Sequence, residues 1–321
     1  MFKFEYSDKN TDTNFTKKDL YFESSGVKCA ASFYFPQNTK IKIPCVIMGH
    51  GFTGTQELLS PYAEKFIQAG LAVLTFDYRY FGKSEGEPRQ IVSLKKQMED
   101  WRAVLKFARG LEGVDAEKIA IWGSSLSGGY VINLAAEDDH IVAVIAQVPA
   151  IDKGIEGTSP EIEEKISRLG LTKIQIAGMY IKVILAAIYD VLRGVLGLTP
   201  YYISVFGHPG EIAAFTDPDD YKALERFTMI APTWQNKFAP RFIFDLPKYR
   251  SGTAERIKSA LLICATEHDA EANPKFAEQI AKVAQHGQFK LYPGGHFEAY
   301  YGETFECMVR DETEFLQKHF L

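Results

Sequence analysis

The sequence predicts an α/β fold: a mostly parallel central sheet flanked by helices and interrupted by a helical insertion. Short apolar runs alternate along the chain with segments of helical periodicity, a pattern typical of crossovers in a parallel sheet. The alternation stops after Pro149, so residues 151–240 form the predicted insertion. A chain of 321 residues is long enough for one such domain, which we expect to comprise residues 1–150 and 241–321.

Most of the predicted strands are continuously apolar, as expected for strands covered on both faces. An N-terminal hairpin, Asp19–Phe35, differs because its polar and apolar residues alternate around a turn at Ser25-Gly26. The later strands are predicted at Cys45–Met48, Ala72–Phe76, Ile119–Trp122, Val142–Val148, Ala260–Ala265 and Phe289–Tyr292. The predicted helices are Gln56–Ala69, Ile91–Arg109, Leu126–Ala136, Pro274–Val283 and Thr304–His319.

The insertion is predicted to be helical, without a clear strand. Its segment Ile174–Leu198 is strongly apolar, and only Lys182, Asp190 and Arg193 carry charge. These charges argue against a transmembrane span, because each is costly in mid-bilayer. We expect an amphipathic helix that lines an acyl pocket, with a membrane-surface helix or a dimer contact as alternatives. Candidates for lining the pocket, or for packing the insertion onto the core, are Tyr180, Tyr202 and Trp234, with Tyr201 and Phe206 beside them.

The stretch IAIWGSSLSGG, Ile119–Gly129, predicts a serine on a sharp turn between a strand and a helix. Small flanking residues permit a strained backbone there, and the helix N-terminus offers N–H groups to an anion. This is the layout of a nucleophile elbow, G-x-S-x-G, except that Ser127 replaces the second glycine. Ser125 is the preferred nucleophile because it follows the strand at the usual spacing. Attack by Ser127, or a plain serine helix cap, stays open.

A nucleophilic serine needs a base and a group that orients the base. His296 lies in a Gly-rich loop, PGGHF, directly after the last predicted strand. The acids Glu267 and Asp269 follow the strand before it. The chain order serine, acid, histidine differs from that of chymotrypsin-like and subtilisin-like proteases.

These motifs together resemble the serine α/β-hydrolase superfamily. VIMGHGFTGT (46–55) resembles the family's strand and His-Gly oxyanion loop. FDYRYFGKSEGEPR (76–89) resembles its D-x-R-G-x-G-x-S loop, with Tyr80 in place of a glycine. The S-x-S-G-G elbow and LYPGGHF resemble an esterase-like and thiohydrolase-like subgroup that includes fungal polyketide-transferase relatives. The resemblance covers nearly the whole chain after the first fifteen or so residues and is thinnest between Ile151 and Pro240.

The resemblance implies a serine hydrolase in which Ser125 forms an acyl-enzyme, His296 acts as general acid and base, and Asp269 orients the imidazole. Backbone N–H groups of Phe52 and Leu126 would form the oxyanion hole. The expected substrate is an ester or thioester of a small hydrophobic acyl group. No cofactor or metal is expected.

The acid is also assigned with the help of the resemblance. In the family a proline follows the acid by four residues, whereas Pro274 follows Asp269 by five. Asp269 is preferred, and Glu267 and Glu271 stay open.

Three further polar residues are given structural roles. Asp77 and Arg79 are expected to form an ion pair or to brace the following loop, and Asp100 to face solvent or cap a neighbouring element.

Composition excludes some partners. A net charge of -5 and a pI near 5.9 give no indication of binding to nucleic acid or to an anionic membrane. The first residues lack the apolar core of a signal peptide, and the cysteines have no C-x-x-C spacing. We therefore expect a cytoplasmic protein with buried free thiols and no integral membrane segment. A homodimer is possible.

Three other functions stay open at this point. An acyltransferase would use the same three residues. A small-peptide hydrolase would read the substrate amine with an acidic pair, for which Glu161, Glu163 and Glu164 are candidates. A non-catalytic protein that binds a hydrophobic ligand is disfavoured, because binding alone requires no serine, acid and histidine together.

Overall fold

The structure, a computed structural model, describes residues 14–151, 173–245 and 249–320. Its strands are β1 (Phe15–Ser24), β2 (Val27–Pro36), β3 (Ile43–Gly49), β4 (Ala72–Phe76), β5 (Val114–Ser124), β6 (Ile141–Gln147), β7 (Ser204–Phe206), β8 (Ala213–Phe215), β9 (Ala260–Thr266) and β10 (Gly287–Tyr292). Its α-helices are α1 (Ser60–Gln68), α2 (Leu94–Arg109), α3 (Leu126–Ala135), α4 (Lys173–Val195), α5 (Tyr221–Ile230), α6 (Pro274–Val283) and α7 (Gly302–Phe320).

Eight strands form one sheet in the order β1-β2-β4-β3-β5-β6-β9-β10. The hairpin β1–β2 and the pair β2–β4 are antiparallel, and the other neighbours are parallel. The hairpin turns at Ser25 and Gly26, whose φ angles of 49° and 80° suit the twist of a two-residue turn. The prediction of a mostly parallel sheet is therefore confirmed, together with every strand and helix predicted for residues 1–150 and 241–321.

Helices cover both faces of the sheet. One face packs against α2, α3 and α6 around Trp101, and the opposite face packs against α1 and α7 around Tyr62. Neighbouring residues of β5 alternate between the two cores, with Ile121 in the first and Trp122 in the second. This double burial explains the uninterrupted apolar runs. The carboxyl ends of β5, β9 and β10 lie along one edge, where sheets of this kind bind ligands.

The insertion between β6 and β9 departs from the prediction in one respect. The apolar segment forms the helix α4, as expected, but β7 and β8 also pair as a small parallel sheet. Each of these strands has three residues, too short to produce a recognisable alternation of polar and apolar residues. The expectation of an insertion without strands is therefore wrong.

The expectation that Asp100 faces solvent is also wrong. Asp100 is fully buried, and its carboxylate accepts the Nε–H of Arg79 at 2.8 Å. Asp77 forms no ion pair with that guanidinium; it accepts the backbone N–H groups of Gln56 (2.7 Å) and Lys83 (3.0 Å) instead. The second expectation for Asp77, that it braces the following loop, is confirmed. The burial of Asp100 depends on its contact with Arg79, which lies about twenty residues earlier in the chain. The sequence around Asp100 does not indicate that contact.

A buried carboxyl group lies beneath the strand that carries Ser125. Glu312 of α7 accepts the indole N–H of Trp122 at 2.9 Å and is inaccessible to solvent. Burial raises the pKa of the Glu312 carboxyl to about 8. Glu312 is therefore protonated in the folded protein at neutral pH, which avoids an uncompensated buried charge.

Glu312→Gln is expected to flatten the pH dependence of stability. The unfolded chain releases this proton near pH 4.5, whereas the folded chain holds it to about pH 8, so the native free energy of unfolding falls between these values. The glutamine variant should gain on the order of 3 kcal/mol relative to the native protein between pH 5 and 8. Urea unfolding across this range measures the difference, with the exposed neighbour Glu314→Gln as control. Parallel curves for native protein and Glu312→Gln would contradict the raised pKa.

Candidate active site

Ser125 occupies a strained turn between β5 and α3. Its φ of 55° and ψ of -118° lie in a region that costs a non-glycine residue on the order of 1–3 kcal/mol. The turn is held from both sides: the Ser125 N–H donates to Gln147 at 2.9 Å, and its carbonyl accepts the N–H of Ala150 at 2.9 Å. These contacts project the side chain from the end of the sheet.

The glycines around Ser125 are required by close backbone packing. A Cβ on Gly123 would lie 2.2 Å from the carbonyl oxygen of Ser127, and one on Gly129 would lie 2.6 Å from that of Ala150. Both separations are shorter than any real contact of this kind. The small residues of the motif thus bring α3 against the ends of the strands.

The structure brings together three of the predicted site residues. The Ser125 hydroxyl lies 2.9 Å from His296 Nε2, and His296 Nδ1 lies 2.8 Å from Asp269 Oδ2 and 3.0 Å from Oδ1. Asp269 can only accept while ionised, so the network places the imidazole proton on Nδ1 and leaves Nε2 to accept from serine. The histidine and the aspartate are both buried. This chain of hydrogen bonds can remove a proton from the Ser125 hydroxyl.

Asp269, rather than either neighbouring glutamate, faces His296. Its Oδ1 accepts backbone N–H groups of Glu271 at 2.9 Å and Ala272 at 2.7 Å, which fix the carboxylate within its loop. Glu267 is exposed. Glu271 takes part through its backbone N–H, which helps to hold the Asp269 carboxylate against His296.

The hydroxyl of Ser127 is engaged elsewhere. Ser127 is fully buried, its hydroxyl donates to the carbonyl of His50, and the Tyr78 hydroxyl donates to Ser127 Oγ. The serine that replaces the motif's glycine thus ties the elbow to the His-Gly loop.

The two buried histidines of the site differ in the direction of their pKa shifts. Burial alone would lower the pKa of His296, but the charge and hydrogen bond of the Asp269 carboxylate outweigh burial and hold that pKa above its usual 6.5. His50 has no such partner: burial lowers its pKa to about 4, although its hydrogen bond to the Gly51 carbonyl opposes the shift. His50 is therefore neutral and braces its own loop.

The backbone near Phe52 runs directly against Ser125. A Cβ on Gly51 would lie 3.0 Å from the Ser125 Cβ and 3.6 Å from its Oγ. Leu126 is the first residue of α3, so its N–H has no hydrogen-bond partner within the helix. The N–H of Phe52 likewise has no hydrogen-bond partner among the described residues. Its ring is held by Phe238, with centroids 4.9 Å apart. Two backbone N–H groups without a partner among the described residues thus belong to the segments that adjoin the serine.

A small apolar cavity lies beside Ser125 and His296. Its volume of about 20 Å³ holds roughly one water molecule. The insertion and the sheet domain both contribute to its walls. The bulky apolar side chains around it are Phe52, Leu58, Leu59, Val205, Phe206, Phe215, Phe227, Phe297 and Tyr300.

The structure places Tyr180, Tyr202 and Trp234 away from this cavity, contrary to the expectation that they line it. Tyr180 is 57% exposed on α4, and the Tyr202 hydroxyl donates to the carbonyl of Arg89 at 2.9 Å. Trp234 packs behind the cavity wall, 5.6 Å from the ring of Phe227. Among the sequence candidates, Phe206 does line the cavity.

Two other findings bear on the expectations. Glu161, Glu163 and Glu164 lie outside the described residues. Within the described ranges, no helix combines the length and apolar content needed to cross a bilayer, and no cluster of three His, Cys, Asp or Glu side chains could hold a metal ion.

Comparison with known proteins places the chain in a family. The profile of the family described as serine aminopeptidase, S33, matches residues 42–303. The quorum-quenching protein AidA of Acinetobacter baumannii is 35% identical over 302 residues, which cover 94% of each chain. The thiohydrolase aneE of Aspergillus aculeatus is 39% identical over 127 residues, which cover 39% of this chain and 40% of its own.

A solved structure supports the same assignment at the level of fold. The α/β hydrolase GrgF from Penicillium sp. sh18 superposes with a TM-score of 0.72 at 19% identity, covering 95% of this chain and 99% of GrgF. With the family profile spanning most of the sequence, the chain belongs to the serine aminopeptidase S33 family of hydrolases, within the α/β-hydrolase superfamily.

Proposed function

We propose that the protein cleaves an ester or thioester of a small hydrophobic acyl group through an acyl-enzyme on Ser125. The observation that supports this most strongly is the continuous hydrogen-bond chain from Ser125 through His296 to Asp269, starting at a strained elbow. A serine that served only as a helix cap would require neither the histidine nor the buried carboxylate.

The reaction follows from this arrangement. His296 Nε2 accepts the hydroxyl proton while Ser125 Oγ bonds to the acyl carbonyl carbon. The carbonyl oxygen becomes an oxyanion, which the N–H groups of Phe52 and Leu126 stabilise; each such donor lowers comparable barriers by roughly 3 kcal/mol. The intermediate then breaks its bond to the alcohol or thiol, which leaves with the proton from His296. Water, deprotonated by the same histidine, releases the acid and restores Ser125.

The walls of the cavity support a hydrophobic acyl group. Leu58, Phe206, Phe215 and Phe297 are apolar and face the same space as Ser125. The cavity has room for roughly one water molecule, so an acyl chain can enter only if wall side chains move. We therefore assign residues 151–240 as a cap whose lining side chains, Phe206, Phe215 and Phe227, adjust to the substrate. The name of the thiohydrolase relative agrees with a hydrolytic reaction.

The pH dependence of the reaction is predicted from the histidine. The base must be neutral, and the Asp269 carboxylate holds the pKa of His296 above 6.5, so activity should rise with pH and reach half its plateau above pH 6.5. Measurement of kcat/KM for a short activated ester between pH 5 and 9 gives this midpoint. A midpoint at or below pH 6.5 would contradict a carboxylate-paired base.

A substrate series tests the proposed chemistry. We expect kcat/KM for p-nitrophenyl esters and matched thioesters to increase from acetyl to medium-length acyl groups, with free acid as the product. A clear preference for acetyl or polar acyl groups would contradict the hydrophobic assignment. Added primary alcohol separates the alternatives, because an acyltransferase would release mainly a new ester. Turnover of aminoacyl arylamides in preference to all esters would indicate a peptidase instead.

A further inference from the structure

Helix α4 is packed with its small residues inward and its large apolar residues outward. Ala187 and Asp190 are fully buried, and a Cβ on Gly194 would lie 2.4 Å from the Arg241 guanidinium. Leu192, by contrast, is 56% exposed. Helices on a water-facing surface normally bury the large apolar side chains and expose polar ones. The outward side of α4 is therefore apolar, as is typical of a surface that contacts another protein or a membrane.

The outward residues of α4 follow a heptad pattern. Exposed aliphatic side chains recur at positions 181, 184, 185, 188, 191, 192 and 195, in successive steps of three, one and three residues, and the exposed rings of Tyr180 and Tyr189 lie beside them. These steps add up to a repeat of seven residues, which keeps the side chains along one side of a helix and suits packing against another helix. The seam runs along about four turns of the helix and is followed by exposed Leu196 and Leu198. We call the large apolar residues exposed between Tyr180 and Leu198 the α4 seam.

The α4 seam is large enough for a stable interface. Its side chains expose on the order of 1,000 Å² of apolar surface, whereas a typical monomer shows a contiguous patch of about 300–600 Å². A stable protein–protein interface buries about 800 Å² on each partner. One face of one helix and the turn after it thus match the area that a dimer requires.

The helix that carries the seam is firmly held. The Asp190 carboxylate accepts the Nε–H of Arg241 at 2.6 Å and the backbone N–H of Tyr201 at 2.9 Å. Beside Arg241, the ring of Phe242 stacks on Phe52 with centroids 5.1 Å apart. The seam is therefore fixed to the sheet domain, as a specific interface requires.

We propose that the α4 seam is the self-association surface of this protein and that its occupant is the same seam on a second copy. The charge distribution favours this occupant over a lipid surface. Lys182 and Arg193 are the only cations between residues 180 and 198, and Arg193 already donates to the carbonyl of Thr199 at 2.6 Å. Helices that bind membrane surfaces carry several Lys or Arg residues on their polar side. A self-complementary apolar seam, in contrast, closes as a two-fold dimer.

The mass of the full-length chain in solution tests this proposal without any variant. Sedimentation velocity at micromolar concentrations should give twice the 36.1 kDa of one chain, with dissociation on dilution. A monomer across the whole concentration range would overturn the proposal. A monomer that binds neutral phosphatidylcholine vesicles would overturn it in favour of lipid.

Two variants locate the interface. Ile188→Glu and Leu192→Glu place a charge in the seam and should weaken dimerisation at least 100-fold, while leaving thermal unfolding of the monomer near that of the native chain. Met229→Glu, at a 74% exposed position on α5 outside the seam, is the matched control and should stay dimeric. Dimers that persist in both seam variants, or that dissociate equally in the control, would place the interface elsewhere.

Discussion

Ser125→Ala is expected to lower kcat/KM for an activated ester by on the order of 10⁴-fold or more, whereas Ser127→Ala should retain most of the activity. Of the two serines, it is Ser125 whose hydroxyl contacts His296, at 2.9 Å; the Ser127 hydroxyl is engaged by the carbonyl of His50 and the hydroxyl of Tyr78. Steady-state kinetics on the two purified variants measures the difference.

Ser127→Ala should change stability more than chemistry. Loss of the Ser127 hydroxyl removes one hydrogen-bond partner from the buried carbonyl of His50 and one from the buried hydroxyl of Tyr78. The free energy of unfolding should fall by about 1–3 kcal/mol. Thermal unfolding therefore controls for the kinetic comparison. A folded Ser127→Ala variant that is inactive, beside an active Ser125→Ala variant, would move the nucleophile by two residues.

Asp269→Asn is expected to lower kcat/KM by about 10³–10⁴-fold, the second largest effect. An asparagine can turn its amide donor towards His296 Nδ1, which favours the tautomer with the proton on Nε2, where it can no longer accept from serine. It also removes the charge that stabilises the imidazolium formed during attack. The same ester assay measures the loss.

The matched controls are Glu267→Gln and Glu271→Gln, the two acids left open by the sequence. Each should stay within a few-fold of native activity, because Glu267 is exposed and Glu271→Gln keeps the backbone N–H that Glu271 donates to Asp269. A large loss in either glutamate variant, with activity retained in Asp269→Asn, would reassign the acid.

The sheet domain was predictable because its signals are local. Continuous apolar runs indicate strands buried on both faces. The glycine at the end of β5 indicates close backbone packing, because a Cβ on Gly123 would lie 2.2 Å from the carbonyl oxygen of Ser127. The predicted Ser125, Asp269 and His296 meet because they follow the carboxyl ends of strands at the same edge of the sheet. Residues that are far apart in the sequence therefore lie close together when each follows the end of a parallel strand in the same sheet.

The features that sequence reasoning missed depend on contacts between distant segments. Asp100 has polar neighbours on α2, and its burial is compensated by the guanidinium of Arg79, which comes from the loop after β4. The cavity walls at Phe215 and Phe227 come from the insertion, and Phe297 from the turn that carries His296. A clustering of phenylalanines near the predicted histidine and within the insertion was the available signal. Whether these phenylalanines face one another depends on how the insertion packs against the sheet domain. The periodicity of the sequence does not specify that packing.

Mapping the site of covalent modification tests the central claim most directly. The chain would be treated with a fluorophosphonate, digested and analysed by mass spectrometry, together with His296→Ala as the variant that lacks the base. We predict one adduct, on Ser125, and little labelling in the variant. An adduct on Ser127 or any other residue, or equal labelling of Ser125 without His296, would contradict the proposed serine–histidine–aspartate mechanism.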